Sequence, residues 1–302
     1  MNVDFNRIPN QIIPTRNRKI YCFHNSTSDE NIDLDVVNAF GDEWMKFNKF
    51  NDRDLQIAGN NYFDILTDKM INPSTYAIDL GCGSGRWSKF LLDRIGFIEV
   101  LDPSDAVFAA DKLIGESDKV RLIKASIDNI PFPDETFDFA MSVGVLHHIP
   151  DTVSAMKKCV EKIKKGGYFY AYLYYDLEDR GQLFKVAFHL STLLRKIVSS
   201  LPSGLKKIVC DVLAALIYFP LSRIAGLLTK LNLEKLGRRL PLSAYQDKTF
   251  HILRNDALDR FGTKLEQRFS RKEILEMMTD CGLTNLQIAS GKPFYHAVGQ
   301  KL

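Results

Sequence analysis

The stretch Ala77-Ile78-Asp79-Leu80-Gly81-Cys82-Gly83-Ser84-Gly85-Arg86-Trp87-Ser88 decides the fold of this chain. A short apolar run ends near an acid, passes through three glycines at alternate positions and then enters a predicted helix. Glycine permits a backbone with φ > 0 and lets a ligand approach the main chain without meeting a Cβ. The order strand, glycine turn, helix therefore predicts a ligand site at the carboxyl end of a parallel sheet, against a helix N-terminus.

The spacing of the glycines separates two kinds of ligand. A dinucleotide fingerprint needs G-x-G-x-x-G, but its last position is Arg86 here and the third glycine is Gly85. Asp79, two residues before the first glycine, suits a ligand with a cationic amine better than a pyrophosphate. The stretch resembles motif I of the class I S-adenosylmethionine-dependent methyltransferases; a glycine-rich turn in another α/β protein is the alternative. The resemblance implies that S-adenosylmethionine is the cofactor and that it contacts Asp79, Gly81, Cys82, Gly83 and Gly85.

Predicted strands and helices alternate from residue 75 onward, which indicates a parallel α/β sheet. A capping box, Ser270-Arg271-Lys272-Glu273, then opens a late helix, and two more strands follow it. The resembled family has a Rossmann-like sheet of seven strands with the last one antiparallel, and the resemblance implies that fold here. The predicted strands span residues 76–80, 97–101, 120–124, 137–143, 168–174, 283–289 and 293–300.

The sequence pattern divides the chain into four predicted parts. Residues 1–70 form an N-terminal extension, irregular to about residue 34 and then helical in spacing over 35–66. Within it, Phe40-Gly41-Asp42-Glu43-Trp44 is either a lid over the cofactor or part of the core packing. The cofactor-binding core spans 71–178, a helical insertion spans 179–265, and 266–302 complete the core.

Two further segments match cofactor-binding positions of the resembled family. Asp102 ends the second predicted strand 21 residues after Gly81, and the resemblance implies that it accepts hydrogen bonds from the ribose hydroxyls. After the third strand, Ser126 stands where the family has an acid that binds the adenine amine. Ile127 then offers its backbone amide to the ring, and Asp128 is an alternative carboxylate.

The segment after residue 137 carries the remaining predicted site. It reads Phe-Asp-Phe-Ala-Met-Ser-Val-Gly-Val-Leu-His-His-Ile over 137–149 and resembles ubiquinone/menaquinone C-methyltransferases and natural-product O-methyltransferases. The resemblance implies that Ser142 and Val143 line the methionine half of the cofactor. Arg86 either pairs with the methionine carboxylate or is solvated at the start of its helix.

Three residues are candidates for proton transfer. His147 and His148 follow the fourth predicted strand, and Asp176 follows the fifth. Imidazole suits a general base because its pKa lies near neutrality, and a base accelerates methylation of a hydroxyl. The alternative is that the histidines cap the next helix and pack beside the cofactor.

Composition excludes several classes of function. Hydrophobic residues make up 45% of the 302 residues and charged residues 25%, an ordinary globular balance, and the net charge of +3 is too small to indicate nucleic-acid binding. The chain also lacks the Asn/Asp-Pro-Pro-aromatic and Pro-Cys motifs of DNA methyltransferases. Five scattered cysteines without a C-x-x-C pair favour reduced thiols and no metal site, and a polar N-terminus argues against secretion. We therefore expect a cytoplasmic protein.

Residues 182–230 form a basic, apolar segment with seven basic residues and one acid. Its apolar residues recur at helical spacing, and Pro202 and Pro220 divide it. No apolar run reaches the ~18 residues of a membrane span. The segment is a helical cap over the acceptor pocket, a homodimer contact, or an amphipathic surface that touches a membrane peripherally.

The sequence thus predicts an enzyme that transfers a methyl group from S-adenosylmethionine to a small-molecule acceptor. A hydroxyl of a sugar, a lipid or a natural product is the favoured acceptor group. One alternative is C-methylation of a quinone-like lipid at the membrane surface. Another is a non-catalytic module that binds S-adenosylmethionine and regulates or scaffolds a partner.

Overall fold

A computed structural model describes residues 3–23, 31–46, 52–176, 182–237, 240–262, 265–289, 291 and 295–302. The chain divides into two compact units. Unit 1 contains residues 1–176 and 267–302, and unit 2 contains residues 177–266.

Unit 1 is built on one sheet in the order β1-β2-β5-β4-β3-β6-β7-β9-β8. The five central strands are parallel, and β9 joins β7 antiparallel and pairs antiparallel with β8, as predicted. The strands are β1 (Gln11–Pro14), β2 (Lys19–Cys22), β3 (Tyr76–Leu80), β4 (Phe97–Asp102), β5 (Val120–Lys124), β6 (Phe137–Val143), β7 (Ile163–Tyr172), β8 (Leu283–Ile288) and β9 (His296–Lys301).

The N-terminal hairpin β1–β2 corrects the prediction that the first 34 residues are irregular. β2 adds to the sheet parallel to β5, so the described strands number nine where seven were expected. Ile20 and Cys22 are buried on it. The hairpin is anchored from a distance, because the Arg18 guanidinium donates to the Asp111 carboxylate at 3.1 Å and both side chains are buried. Such a long-range ion pair leaves no local sequence pattern.

The helices follow the predicted alternation, with one difference at the N-terminus. Two helices stand where one run over 35–66 was expected, and residues 47–51 between them lie outside the described residues. The capping box is confirmed, since Ser270 Oγ accepts from the Glu273 amide and the Ser270 amide donates to the Glu273 carboxylate. The helices are α1 (Leu34–Lys46), α2 (Asp52–Tyr62), α3 (Arg86–Leu91), α4 (Ala106–Ile114), α5 (Thr152–Glu161), α6 (Gln182–Ser199), α7 (Ser203–Leu213), α8 (Phe219–Lys230), α9 (Glu234–Gly237), α10 (Phe250–Gly262) and α11 (Arg271–Asp280).

The core of unit 1 lies on both faces of the sheet. Successive strand residues point to opposite faces, so Ile78 and Leu80 enter one apolar cluster while Ala77 enters the other. All five residues of β3 and all six of β4 are buried. This is the pattern of strands covered by helices on both sides, and it holds the ends of β3 and β4 rigidly beside each other.

Unit 2 is helical in its described part and has its own core. α7 and α8 are joined by a π-helical segment, Ala214–Tyr218, and run as one helix through Pro220, so the prediction that Pro220 divides this segment is wrong. Buried residues of α6, α7, the π segment and α10 form the core: Val198, Cys210, Ala214, Tyr218, Leu253, Ala257 and Phe261.

Candidate active site

The sheet order places a crevice at the carboxyl end of β3. The chain passes from β3 to β4 on one side and returns to β6 on the other, so the helices leave in opposite directions at this point. Ligands of open α/β sheets bind in such a crevice. The glycine turn after Leu80, the end of β4 at Asp102 and the end of β6 at Val143 meet here.

The three glycines of the turn are required by conformation and by space. Gly81, Gly83 and Gly85 have φ values of 83°, 53° and 75°, which L side chains rarely adopt. A Cβ on Gly81 would lie 2.5 Å from a methyl carbon of Val145. The turn is also fastened to β4, because the Gly81 amide donates to the Leu101 carbonyl at 2.8 Å.

Asp79 is a buried carboxylate directly below the turn. Its side chain is 1% exposed and its Oδ2 accepts a hydrogen bond from Ser88 Oγ at 2.6 Å. Burial and, to a smaller extent, the nearby Asp102 carboxylate together raise the pKa of Asp79 to about 7, although the Ser88 hydrogen bond opposes the shift. A cationic group beside this carboxyl would favour its ionised form.

Asp102 is the second buried carboxylate, at the end of β4. Its Oδ2 accepts from the Gly83 amide at 2.9 Å, and its Oδ1 accepts from the amide and the hydroxyl of Ser104 at 2.9 and 2.6 Å. Burial raises its pKa, although these hydrogen bonds oppose the shift. The hydrogen bonds fix the orientation of the carboxylate beside the glycine turn, where the ribose-binding acid was predicted.

The turn also holds two small polar side chains. Ser84 Oγ is buried and has no hydrogen-bond partner among the described residues. Buried polar atoms are nearly always satisfied, so such an atom indicates a position for a ligand or water. Cys82 is buried too, and burial with the nearby carboxylates Asp102 and Asp79 raises the pKa of its thiol well above the ordinary value. This thiol is therefore a packing group and no nucleophile.

The predicted adenine segment follows β5. Ser126 precedes a short 3₁₀ turn, Ile127–Asn129, and both Ser126 and Ile127 are buried. Asp128 is engaged elsewhere, because Lys158 Nζ donates to its Oδ1 at 2.6 Å. The ion pair favours the Ile127 amide over the Asp128 carboxylate as the contact in this segment.

The two residues predicted to line the methionine half end β6. Ser142 Oγ donates to the Leu80 carbonyl at 2.9 Å, which fastens β6 to β3 just below the glycine turn. Val143 is buried at the strand end. Gly144 follows with φ of 79° and turns the chain toward the histidines.

Helix α1 lies over this part of unit 1. A Cβ on Gly83 would be 3.0 Å from the Trp44 indole nitrogen, and a Cβ on Gly41 would be 3.1 Å from Cβ of Ser104. The Phe40 ring lies 4.8 Å from the ring of His148. The Arg86 guanidinium lies over the Trp44 ring, at 5.0 Å from its centroid. α1 thus reaches from the Asp102 side to the histidines, and its role as a lid stays a prediction.

His147 is fully buried beside the end of β7. Its ring stacks on Tyr174 with centroids 3.9 Å apart, and both its ring nitrogens lack a hydrogen-bond partner in the described part of the chain. Burial, and then the neighbouring His148 and Arg268, lower the pKa of His147 well below its ordinary value. The imidazole is therefore neutral at physiological pH. The adjacent ring of His148 lies 4.2 Å away and is also buried.

The third candidate, Asp176, follows the end of β7. Its backbone amide donates to the Phe269 carbonyl at 3.1 Å, which fixes the chain just after Tyr174. Its catalytic role, like those of the histidines, stays a prediction.

A row of aromatic rings extends from the glycine turn to the histidines. The Tyr62 ring lies 4.5 Å from Trp87 and 5.0 Å from Tyr172, and Tyr172 lies 5.9 Å from Tyr174, which contacts His147. Rings at these separations attract each other and bury large apolar area. The row gives this end of the sheet a wall of aromatic rings, in which Tyr172 meets Tyr62 and Tyr174 edge to face at 71° and 66°.

Sequence reasoning missed several polar groups of the site. Ser84, Ser88 and Ser104 were not singled out, although Ser104 follows an aspartate by two residues, which is a turn signal. The contact between His296 Nε2 and Asp64 Oδ1, at 2.6 Å, was also missed. It joins β9 to the segment after α2, residues 232 positions apart, so no local pattern predicts it.

These features fit S-adenosylmethionine chemically. The cofactor carries a cationic amine, a sulfonium, a ribose with two hydroxyls and a flat adenine. Asp79 and Asp102 supply two buried carboxylates, Ser84 supplies a buried hydroxyl without a partner among the described residues, and the glycines form the turn between the two acids. Charged and polar atoms of this kind are otherwise costly to bury.

Comparisons with known proteins agree with this assignment. Residues 78–171 match the family described as "Methyltransferase domain". A demethylmenaquinone methyltransferase of Lysinibacillus sphaericus is 26% identical over 137 residues, 44% of this chain and 58% of that protein. A sterol 4-C-methyltransferase of Caenorhabditis elegans is 28% identical over 157 residues, 47% of this chain and 45% of that protein. The chain thus spans about half the length of these curated relatives.

Among solved structures, human N-acetylserotonin methyltransferase in complex with S-adenosylmethionine shares the fold. Its TM-score is 0.50 at 15% identity, with 86% of this chain and 56% of that chain covered. With the matched domain, the relatives and the glycine turn between two buried acids, residues 78–171 form a class I S-adenosylmethionine-dependent methyltransferase domain, whose cofactor is S-adenosylmethionine.

Proposed function

We propose that this protein transfers a methyl group from S-adenosylmethionine to a small-molecule acceptor. The observation that carries the proposal is the pair of buried carboxylates, Asp79 and Asp102, on either side of a turn that only glycines can form. When bound, the cofactor supplies an electrophilic methyl group on a sulfonium. The chain's own part is then alignment, since orientation alone can lower a barrier by about 7 to 11 kcal/mol.

We further propose that the acceptor group is a hydroxyl and that His147 takes its proton. The geometry of His147 supports this role, because its ring nitrogens have no hydrogen-bond partner among the described residues; burial keeps the ring neutral and also lowers its pKa below the range that suits a base best. A neutral imidazole accepts a proton, and a positioned base contributes about 10²- to 10⁴-fold in rate. His148 beside it is the second candidate for the same step.

The aromatic row supports an acceptor that contains a flat, apolar ring. Tyr62, Tyr172 and Tyr174 present ring faces and edges between the glycine turn and the histidines. Such walls favour planar apolar ligands, and few polar groups then suffice to orient them. A ring-bearing natural product or lipid therefore suits this side of the site better than a sugar, whose hydroxyls would need several polar partners.

A second candidate is methylation at a ring carbon of a quinone-like lipid. The similarity to a demethylmenaquinone methyltransferase favours it. Removal of a proton from a ring hydroxyl also makes the adjacent ring carbon nucleophilic, so the same base would serve both reactions. We place either reaction in the cytoplasm, a proposal supported by five cysteines that are all free.

A direct assay tests both candidates. Purified full-length protein is incubated with methyl-labelled S-adenosylmethionine and with a ring hydroxyl compound, a reduced demethylated naphthoquinone or a sugar. We expect S-adenosylhomocysteine with a ring acceptor, and mass spectrometry with NMR then distinguishes a methyl ether from a C-methyl product. Tight cofactor binding by calorimetry without turnover on these acceptors or on cell extract would instead support the non-catalytic module. Absence of cofactor binding by folded protein would overturn the proposal.

A further inference from the structure

The long helix of unit 2 has two apolar faces. Between residues 204 and 230 one face is buried in the core of unit 2, at Cys210, Ala214 and Tyr218. The opposite face remains exposed and is also apolar. Its exposed large side chains are Leu205, Ile208, Val212, Leu216, Ile224 and Leu227. We call these six residues the apolar stripe.

The π segment keeps the apolar stripe on one side of the helix. Buried residues recur every four positions from Cys210 to Ser222, and Ile208, Val212 and Leu216 do the same on the exposed face. In a regular α-helix each step of four residues rotates by about 40° beyond a full turn, so both faces would drift around the axis. The π-helical segment Ala214–Tyr218 has more residues per turn, so each residue rotates less there and the segment offsets the drift. The stripe therefore stays on one side of the helix over about 33 Å from Leu205 to Leu227, at 1.5 Å per residue.

The exposed charged side chains along this helix are all positive. Lys207, Arg223 and Lys230 are exposed, and the single acid, Asp211, accepts hydrogen bonds from Nε and Nη2 of Arg254 at 2.7 and 2.6 Å. Helix α6 adds exposed Leu190, Leu193 and Ile197 together with exposed Lys196. Exposed apolar surface beside basic residues is the composition of helices that lie in a membrane interface.

We propose that the apolar stripe and its basic residues dock unit 2 onto the surface of an anionic lipid bilayer. Anionic headgroups complement Lys207 and Lys230, while the stripe enters the boundary between headgroups and acyl chains. A second copy of this chain is a poorer occupant, because a symmetric contact through the stripe brings like charges together. Each charge near an anionic surface adds to the binding, and salt weakens it.

The helix lies on the bilayer and does not cross it. By length and composition alone, Gly204–Lys230 could span a membrane, and 28% of its most apolar window is buried in the chain's own fold. The buried side chains pack against Leu253, Ala257 and Phe261 of unit 2. A spanning arrangement would remove these contacts and would place Arg223 within the hydrocarbon, which is costly.

Vesicle flotation of the full-length protein tests the docking surface. We expect binding to vesicles that contain phosphatidylglycerol, weaker binding to pure phosphatidylcholine, and release by high salt. The variant Leu216→Glu/Leu227→Glu should bind at least about tenfold more weakly, because it places two charges in the stripe. Its matched control is Ile8→Glu/Leu302→Glu, which adds the same charge at two exposed aliphatic residues of unit 1 and should bind like wild type. Lys207→Glu/Lys230→Glu should abolish the preference for anionic lipid.

Three outcomes would overturn the proposal. The stripe variant, folded by circular dichroism, binds vesicles as well as wild type. Wild type binds no vesicles but forms a dimer in sedimentation that the stripe variant breaks, which would make a second copy the occupant. Bound protein resists salt and is released only by detergent, which would indicate insertion across the bilayer. Vesicle binding needs neither S-adenosylmethionine nor an acceptor, so its failure leaves the proposed methyl transfer untouched.

Discussion

At the scale of single residues, Asp79 joins cofactor binding to stability. Its pKa is raised by burial to about 7 from an ordinary value of 3.8. Between these pH values the folded protein keeps a proton that the unfolded chain has lost. The stabilising contribution is therefore complete below about pH 4 and is lost as the pH rises through about 7. Near neutral pH the ligand-free fold carries the cost of a buried carboxylate.

The substitution Asp79→Asn should separate the two roles. The ligand-free variant is expected to melt at a higher temperature than wild type at about pH 8, because position 79 then carries no buried charge. Its affinity for S-adenosylmethionine should fall by about tenfold or more, equivalent to about 1.4 kcal/mol. Wild-type affinity should rise between about pH 6 and pH 8, and that of the variant should not.

Calorimetry and thermal melts measure these effects. Asp68→Asn is the matched control, since the Asp68 side chain is 98% exposed. Equal pH dependence of affinity in Asp79→Asn and wild type would show that Asp79 does not face the cationic part of the cofactor.

His147 gives a second prediction at this scale. His147→Gln should lower kcat by about 10² to 10⁴ and leave the Kd for S-adenosylmethionine unchanged, because the ring acts on the acceptor. Its lowered pKa means that the native fold gains from the neutral ring above pH 6.5 and loses this contribution as the pH falls below it. The variant should therefore resist acid unfolding better than wild type.

Rate measurements on His147→Gln, His148→Gln and the double variant check this role. The double variant should be the slowest. If His147→Ala/His148→Ala keeps more than about a tenth of wild-type activity, neither histidine is the base.

The site residues that could be predicted from the sequence are those whose type or position is fixed by their immediate neighbours in the chain. The glycines of 81–85 are required by local backbone geometry, and the acids at positions 79 and 102 were located by their spacing from these glycines. Ser88 and Ser84 differ, because their importance depends on what surrounds them: Ser88 donates to a carboxylate nine residues earlier, and Ser84 is buried without a described partner. Burial of this kind arises from tertiary packing and produces no regular spacing of residues in the sequence.

At the scale of elements, α1 is the part of the predicted lid that can be tested. Trp44 lies against Gly83 and under the Arg86 guanidinium. We expect Trp44→Ala to release S-adenosylmethionine about tenfold faster, because a closing element mainly slows dissociation. Stopped-flow displacement measures the rate. Ile57→Ala, at an exposed position of α2, is the control, and an unchanged rate in Trp44→Ala would assign α1 to packing alone.

Burial explains why the sequence predicted strands β3–β7 but not the hairpin β1–β2. The central strands are buried on both faces and read as apolar runs. β1 and β2 have four residues each, and three of the four residues of β1 are exposed. Their stability depends on pairing with β5 and on the Arg18–Asp111 ion pair, which join distant parts of the chain. Short strands held by remote partners are where local patterns fail.

At the scale of the whole molecule, the two units should respond differently to the cofactor. Unit 1 holds the glycine turn and both of the chain's tryptophans, Trp44 and Trp87, whereas the helices are divided between the units. Intrinsic tryptophan fluorescence therefore follows unit 1 alone, and far-UV circular dichroism follows both. Each unit has its own buried apolar cluster, so we expect two melting transitions.

S-adenosylmethionine at about 100 times its Kd should stabilise the unit that binds it by about 2.7 kcal/mol. The fluorescence transition should then move to higher temperature, together with only part of the circular dichroism change, while the remaining helical transition stays in place. Asp79→Asn, with about tenfold weaker affinity, should show about half of this stabilisation at the same cofactor concentration and keep both transitions. If fluorescence and circular dichroism instead melt together and shift together, units 1 and 2 unfold as one cooperative body, and cofactor binding stabilises the helices of residues 182–262 through their coupling to the sheet.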